Sequence, residues 1–358
     1  MSEPGPGGPA VSGLRSSADS EVETTEQRTT EDTASRPDPA SRNGAAFHLD
    51  TRLLALVGVL GVLLVVGLIT TQGNFLSESN LSIMLRQAAA IGVVSVGMTF
   101  VIISGGIDLS VGSILALSSV WMTTLATQSY GPWVMVLCAL LVGLGCGLVN
   151  GVLIAYGNVV PFIATLAMFV AARGLAERLS GRRTQVVGDT GFLTFFRGDL
   201  LGIPVLIIML AVVFAIGWVV LNRTTFGRRT FAVGGNAEAA RLAGINIKWH
   251  TALVYGIAGL CCGIAAIMVV ARTTSGASTN GTLYELDAIA AVVIGGTLLT
   301  GGRGTMIGTL IGVLIFSVLN SIFTQNHLET DIQQIAKGVI IVAAVLLQQF
   351  GGTRRRKT

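Results

Sequence analysis

Charge is what this chain lacks. Of its 358 residues only 12% are Asp, Glu, Lys or Arg, about half the share of about 25% found in soluble proteins. A soluble fold of this size needs a charged surface, and this sequence has too few charges to make one. A water-soluble enzyme, a nucleic-acid binder and a disordered scaffold are all at odds with that composition. Histidines number three, His48, His250 and His327, and no His-Glu-x-x-His pair occurs. No Gly-x-x-x-x-Gly-Lys-Ser/Thr phosphate loop is present, so the sequence predicts no nucleotide hydrolysis by the chain itself. The four cysteines, Cys138, Cys146, Cys261 and Cys262, lie in apolar runs without ligand spacing, and read as small buried hydrophobes. The reading therefore assigns no catalytic residue, no metal site and no cofactor.

What is present is apolar. Hydrophobic residues make up 51% of the chain, and mean hydropathy is +0.73. The net charge of +4 is unevenly placed. Residues 1–50 hold nine acids against four arginines, and residues 51–358 hold ten acids against nineteen bases. The first 46 residues are mostly small, polar and charged. They cannot bury enough surface to offset ordering entropy, so residues 1–50 are expected to form a disordered acidic tail. They lack the basic cluster and apolar run of a signal peptide.

A bilayer core of about 30 Å takes about 20 apolar residues in a helix. Segments of suitable character are Leu53–Thr70, Leu81–Ser104, Val111–Thr127, Trp133–Ala155, Phe162–Leu179, Pro204–Leu221, Thr251–Ala271, Leu286–Leu299, Thr305–Phe323 and Ile332–Gln349. The predicted fold is therefore an all-α, polytopic transmembrane bundle of about ten spans over residues 51–350. The eighth segment is short, is interrupted by Gly295-Gly296, and fits a re-entrant loop. Glycines four apart, at Gly143, Gly147 and Gly151, at Gly259 and Gly263, and at Gly304, Gly308 and Gly312, predict close helix packing.

Basic residues in short loops set orientation. The 222–250 connection holds Arg223, Arg228, Arg229, Arg241 and Lys248 against one acid, Glu238, and residues 351–358 hold Arg354-Arg355-Arg356-Lys357. Both are expected to be cytoplasmic, and an even span count puts the N-terminal tail there too. Residues 180–203 dissent, with Arg182, Arg183 and Arg197 against Asp189 and Asp199. Parity makes them an external structure suited to docking. Arg86, Arg173 and Lys337 fall within spans, with Asp108, Glu285 and Asp287 at span ends. Arg86 and Lys337 are placed to snorkel.

Two stretches carry the functional reading. In the 222–250 connection, Gly235-Asn236 precedes Ala237-Glu238-Ala239-Ala240-Arg241. Asn236 can cap a helix and Glu238 suits its first turn, while Gly244 can end it. The result is a lever of about two turns between spans. Elsewhere, Ser104-Gly105-Gly106 breaks an apolar helix, with Asp108 and Ser110 offering polar groups at the break. Gly295-Gly296-Thr297 and Thr300-Gly301-Gly302 make a second break. Irregular backbone at membrane depth is tolerated where protein or a water-filled cavity satisfies it, so both breaks are expected to flank a translocation pathway near its cytoplasmic end. Asp108 also suits plain capping of the third span. The breaks share spacing at Gly106/Gly296, Leu109/Leu299, Ser110/Thr300 and Gly112/Gly302, as a duplication would.

These residues bring a resemblance into view. Glu238-Ala239-Ala240-x-x-x-Gly244 is similar to the coupling-loop core of permease subunits of bacterial ABC importers. The stretch from Val96-Gly97-Met98-Thr99-Phe100 through Gly105-Gly106-Ile107-Asp108-Leu109-Ser110 to Ser113 resembles the signature of the ribose-type monosaccharide permeases. Pro161-Phe162-Ile163-Ala164-Thr165-Leu166, Arg173-Gly174, Ala291–Thr297 and Thr300–Thr305 follow in the same order. Leu298 stands where that family often has Ser, and the acidic tail lies outside the similarity, which covers about residues 50–350.

The resemblance implies a multi-pass subunit of the bacterial cytoplasmic (inner) membrane that does no covalent chemistry. It implies pairing with a second copy or a sister permease, ABC ATPase subunits that are often a fused tandem, and an extracytoplasmic sugar-binding protein. Membrane lipid is a further partner and nucleic acid is not. ATPase coupling is expected at Gly235, Asn236, Glu238, Ala239, Ala240, Arg241 and Gly244, with the two alanines small for close docking. The pathway is expected at Ser104, Gly105, Gly106, Asp108, Ser110, Gly295, Gly296 and Thr297. The transported solute is expected to be a sugar of the ribose, xylose, galactose or inositol class. The alternatives are a branched-chain amino acid or nucleoside permease of the same transporter type, and an ion-coupled secondary carrier.

Overall fold

The computed structural model describes residues 51–71, 74–188 and 190–354. The expected N-terminal tail, Asp189 and the basic residues 355–358 lie outside them. Among the described residues the chain forms fourteen α-helices: α1 Thr51–Thr70, α2 Glu78–Ile103, α3 Val111–Met122, α4 Leu125–Gln128, α5 Pro132–Ala155, α6 Pro161–Ser180, α7 Thr190–Arg197, α8 Val205–Arg223, α9 Thr225–Gly235, α10 Ala237–Leu242, α11 Ile247–Thr273, α12 Tyr284–Ile294, α13 Met306–Gln325 and α14 Thr330–Arg354. Two minimal antiparallel pairs are the sheet found in this region: β1 (Gln185–Val186) with β4 (Ser275–Gly276), and β2 (Asp199–Leu200) with β3 (Ile203–Pro204). The fold is all-α and polytopic.

All ten expected segments are helical, but a count of ten full spans is too generous. Six helices, α1, α2, α5, α8, α11 and α13, are long and apolar enough to cross a membrane. At 1.5 Å per residue, the 12 residues of α3 and the 11 of α12 reach only about 18 and 16 Å. α6 carries Arg173, Glu177 and Arg178 within one stretch. The two half-length helices adjoin the two breaks. The chain runs long–break–short through α2 and α3, and short–break–long through α12 and α13.

Most of α2 and α11 is buried, whereas α1 and α8 are largely exposed. The centre is thus an α2–α11 pair, with Ala258 and Cys261 against Gly97. The small-residue stripes act as expected. A Cβ on Gly147 would lie 2.9 Å from Gly259 Cα, one on Gly143 2.8 Å from Gly263 N, and one on Gly151 2.6 Å from Ala252 Cα. Helices α5 and α11 therefore meet backbone to backbone, which maximises dispersion contact where no water drives association.

The basic residues of the spans find partners within the chain. Arg86 donates to Asp199 at 3.2 Å and to the Arg197 carbonyl at 3.4 Å. Lys337 reaches both oxygens of the buried Asp287 at 3.2 Å. Arg173 donates to the carbonyls of Ser278 and Asn280 and lies over the Phe169 ring. Pairing within the chain holds both Arg86 and Lys337 in place.

α11 separates two ends of the bundle, about 40 Å apart for 27 residues. At its C-terminal end, residues 180–203 fold into β1, α7 and the β2–β3 turn. Gln185 pairs with Gly276, and Gln128 donates to the Val186 carbonyl and accepts from Gly188 N–H. Phe192 and Phe196 bury against the core. The dissenting loop is therefore a structured cap. At the other end of α11 lie α9, α10 and both breaks.

Gly147→Ala drives a Cβ into the Tyr255 carbonyl and the α11 backbone, and overpacking of this kind costs about 1–3 kcal/mol. Gly145→Ala, on the same helix with open space around it, is neutral. Thermal unfolding in detergent should separate the two variants; equal midpoints would refute the packing account.

Candidate functional site: a lever and two helix breaks

The lever is built as its residues require. Asn236 is the N-cap of α10, its side chain accepting from Ala239 N–H at 3.0 Å. Glu238 and Arg241 form a two-bond pair at 2.5 and 3.1 Å. That hydrogen bond holds the Glu238 carboxyl below its usual range and pushes the Arg241 guanidinium up. Gly244 adopts φ +84°. With Gly244 N–H on the Arg241 carbonyl and Ile245 N–H on that of Ala240, it closes the helix in the left-handed manner that favours glycine.

Three features were not anticipated. First, α10 is preceded by α9, and Gly235 is the last residue of α9 rather than part of the lever helix. Thr224 caps α9 through Gly227 N–H. Its inner face fixes it to α11 and α2: Thr230 and His250 Nε2 lie 3.1 Å apart in a buried contact, and the Phe226 ring lies tilted against His250 at 4.6 Å and against Phe100 at 6.1 Å. Second, Ala240 is buried within the chain. Its small size serves internal packing and it is not free to meet a partner, whereas Ala239 is exposed. Third, Leu242 is 75% exposed, an apolar knob on a polar loop. Nothing in the sequence marks Leu242: it turns outward because Ala240, two positions earlier on a six-residue helix, is buried.

The first break ends α2 at Ser104, whose hydroxyl donates to the Val101 carbonyl. Gly105 takes φ +86°, its N–H bonding Ile102 O and that of Gly106 bonding Val101 O. Gly106 is required by contact rather than by φ, because a Cβ there would meet the Tyr255 hydroxyl at 2.5 Å. Asp108 is fully buried. Its Oδ1 accepts from Ser110 N–H at 2.8 Å and from Ser110 Oγ at 2.5 Å. Ser110, at the N-cap position of α3, makes no side-chain cap bond of its own. Asn150 donates to Ser110 Oγ at 2.8 Å, and Tyr255 donates to the Ile107 carbonyl at 3.3 Å. Asp108 Oδ2 and Asn150 Oδ1, both buried, have no partner.

The second break ends α12 the same way. Gly296 takes φ +92°, its N–H bonding Val293 O and that of Thr297 bonding Val292 O. The pair of bonds matches the first break, but with Gly296 equivalent to Gly105. The Gly106/Gly296 register read from sequence is therefore off by one residue. Gly295 packs on the Gly308 backbone, and Thr297 is buried. The breaks touch: Gly302 N–H donates to the Ile103 carbonyl at 2.8 Å. No group of three or more metal-ligating side chains occurs among the described residues.

The chain is similar to known transport permeases over most of its length. Residues 80–345 match the family described as branched-chain amino acid transport system / permease component. The ribose import permease protein RbsC of Bacillus subtilis is 42% identical over 306 residues, 85% of this chain and 95% of that protein. Its namesake from Escherichia coli K12 is 38% identical over 310 residues, 85% and 97% of the two chains. The galactose/methyl galactoside import permease protein MglC of E. coli K12 is 35% identical over 327 residues, 83% and 94%. No solved structure matches. The chain belongs to this permease family and is a multi-pass membrane protein, a transport component rather than an enzyme.

Loss of the cap in Asn236→Ala removes about 1 kcal/mol from α10. Amide exchange at Ala239–Leu242 should then quicken by about fivefold, with α9 unchanged, and equal protection in both proteins would refute the capping role.

Proposed function

We propose that this chain is the membrane-spanning subunit of an ATP-driven importer of a monosaccharide, with ribose the first candidate. The observation that carries the reading is the 35–42% identity, over most of both chains, to permeases named for ribose and galactose. The family description names branched-chain amino acids, but these relatives favour sugar.

On this reading the subunit lies in the bacterial cytoplasmic membrane with both termini inside, so that α9, α10 and the breaks face the cytoplasm. Glu238, Ala239, Arg241 and Leu242 meet a groove of an ABC ATPase, with Asn236 and Gly244 holding the shape of α10. The capped end formed by residues 180–203 faces outward and receives sugar from a binding protein. A second permease copy or a sister permease completes the pathway. The protein does no chemistry on the sugar. It passes a bias between two packings, and that bias comes from the ATPase's differential contact with α10.

Asp108 is the pathway residue with the clearest physical case. A buried carboxylate oxygen and a buried amide oxygen without donors are costly in a sealed core. At a break that opens to water, they gain partners and line a polar route for a polyhydroxylated solute.

Purification from native membranes in mild detergent should recover an ABC ATPase and a sugar-binding protein, and liposomes holding that complex should take up labelled ribose only with ATP. Uptake by this chain alone, driven by an ion gradient, would refute the reading. Asp108→Ala should leave the complex assembled and abolish uptake; normal uptake would reduce Asp108 to the turn that starts α3.

A further inference from the structure

Three stretches of backbone meet at one point: the end of α9, the first break and the second break. Gly302 N–H donates to the Ile103 carbonyl, and Gly234 lies directly against that hydrogen bond. A Cβ on Gly234 would collide with the Ile103 oxygen and sit 2.7 Å from the Gly302 nitrogen. The remaining contacts are equally close. A Cβ on Gly302 would lie 2.8 Å from Gly235 Cα, and one on Gly301 would lie 2.9 Å from both Gly105 Cα and Gly234 O. Gly105, Gly301 and Gly302 all adopt positive φ, at +86°, +82° and +73°. No side chain intervenes in any of these contacts.

We propose that this glycine junction is the relay of the transporter: Gly234, Gly301, Gly302 and Gly105 are positioning residues that make α9 and both helix breaks move as one piece. This rests on the reading of α10 as the ATPase contact. Backbone in van der Waals contact with backbone has no rotamer to absorb a displacement, and packed interfaces of this kind switch between discrete arrangements rather than deform. A push on α10 passes to α9 through the single residue Asn236, and from Gly234 it reaches Ile103 and Gly302 at once. A merely adjacent lever would move one break and leave the other behind. The geometry thus accounts for a loop and two breaks, nearly 200 residues apart in sequence, acting in one step.

The test uses the intact complex with its ATPase and binding protein in liposomes, reading ATP hydrolysis and labelled-sugar uptake together. Gly234→Ala should keep the ATPase bound and hydrolysis within roughly twofold, while sugar moved per ATP falls by about tenfold or more, since the bias no longer reaches the pathway. Gly145→Ala, with nothing near its Cβ, should change neither. Wild-type sugar per ATP in Gly234→Ala would overturn the relay.

A second measurement covers the case in which that variant fails to assemble. Spin labels at the exposed positions Ala232 and Arg303 should keep one separation in the nucleotide-free and ATP-trapped complex. Labels at Ala232 and at Leu125, 86% exposed near the capped end, should change theirs. A changing Ala232–Arg303 distance would overturn the relay even if Ala239→Cys cross-links to the ATPase. Two constant distances with no such cross-link would instead sink the docking of α10, and the relay with it.

Discussion

Backbone in an apolar medium has nowhere to place its hydrogen bonds except within the protein, and the architecture around both breaks follows from that constraint. Helices α2 and α12 stop where a polar pathway is expected, and each stop must leave no orphaned N–H or C=O. Both use one solution: a glycine at positive φ, Gly105 or Gly296, with two returning amides that close the last turn. The Ile103 carbonyl at the first break takes its donor from Gly302 at the second. Each break thus completes the other, so neither segment keeps its shape alone. Glycine is needed twice over, for φ and for the closeness that this shared hydrogen bond imposes.

The same closeness decides what α9 can be. A helix carrying side chains at Gly227 and Gly234 would be held off by the Leu221 and Ile103 carbonyls. With glycine there, α9 sinks onto the end of the bundle and is fixed on its other side by Thr230, His250 and Phe226. Only α10 is left projecting, six residues stabilised by its own cap, its own ion pair and the burial of Ala240. On the proposed reading, a rigid base and a small projecting tip suit a part that is gripped from outside without unfolding.

Much of this was legible in the sequence, for identifiable reasons. Helix positions follow from hydropathy, and the Asn236 cap and Gly244 stop are local signals that hold whatever surrounds them. What escaped depends on tertiary context. Thr225–Gly235 reads as a basic loop because Arg228 and Arg229 dominate it, although Gly227, Thr230 and Val233 repeat every three residues and form its buried face. The register of the two breaks was misread because side-chain identities align Gly106 with Gly296, whereas the shared feature is backbone φ. Ala240 was assigned outward because a small residue suits any close contact, and sequence does not say with which surface. The meeting of Gly234 with Gly302 is a contact between distant segments and leaves no local trace.

The charges within the bundle bear on where the work of transport comes from. Lys337 is held by Asp287, Arg86 by Asp199, and Arg173 by two carbonyls and a ring. These basic groups tie elements together: α14 to α12, α2 to the cap around α7 and β2, and α6 to the segment before α12. A cation so held serves to fix geometry and is a poor candidate for exchanging protons or ions during a cycle. Asp108 differs, since half of its carboxyl group is satisfied and half is not, and it sits at a break rather than between two helices. A bundle whose span cations Arg86, Arg173 and Lys337 are committed to structure, whose buried Asp108 and Asn150 oxygens lack donors at a break, and whose projecting tip is joined to that break through the glycines of α9 suits, on the proposed reading, being moved from outside.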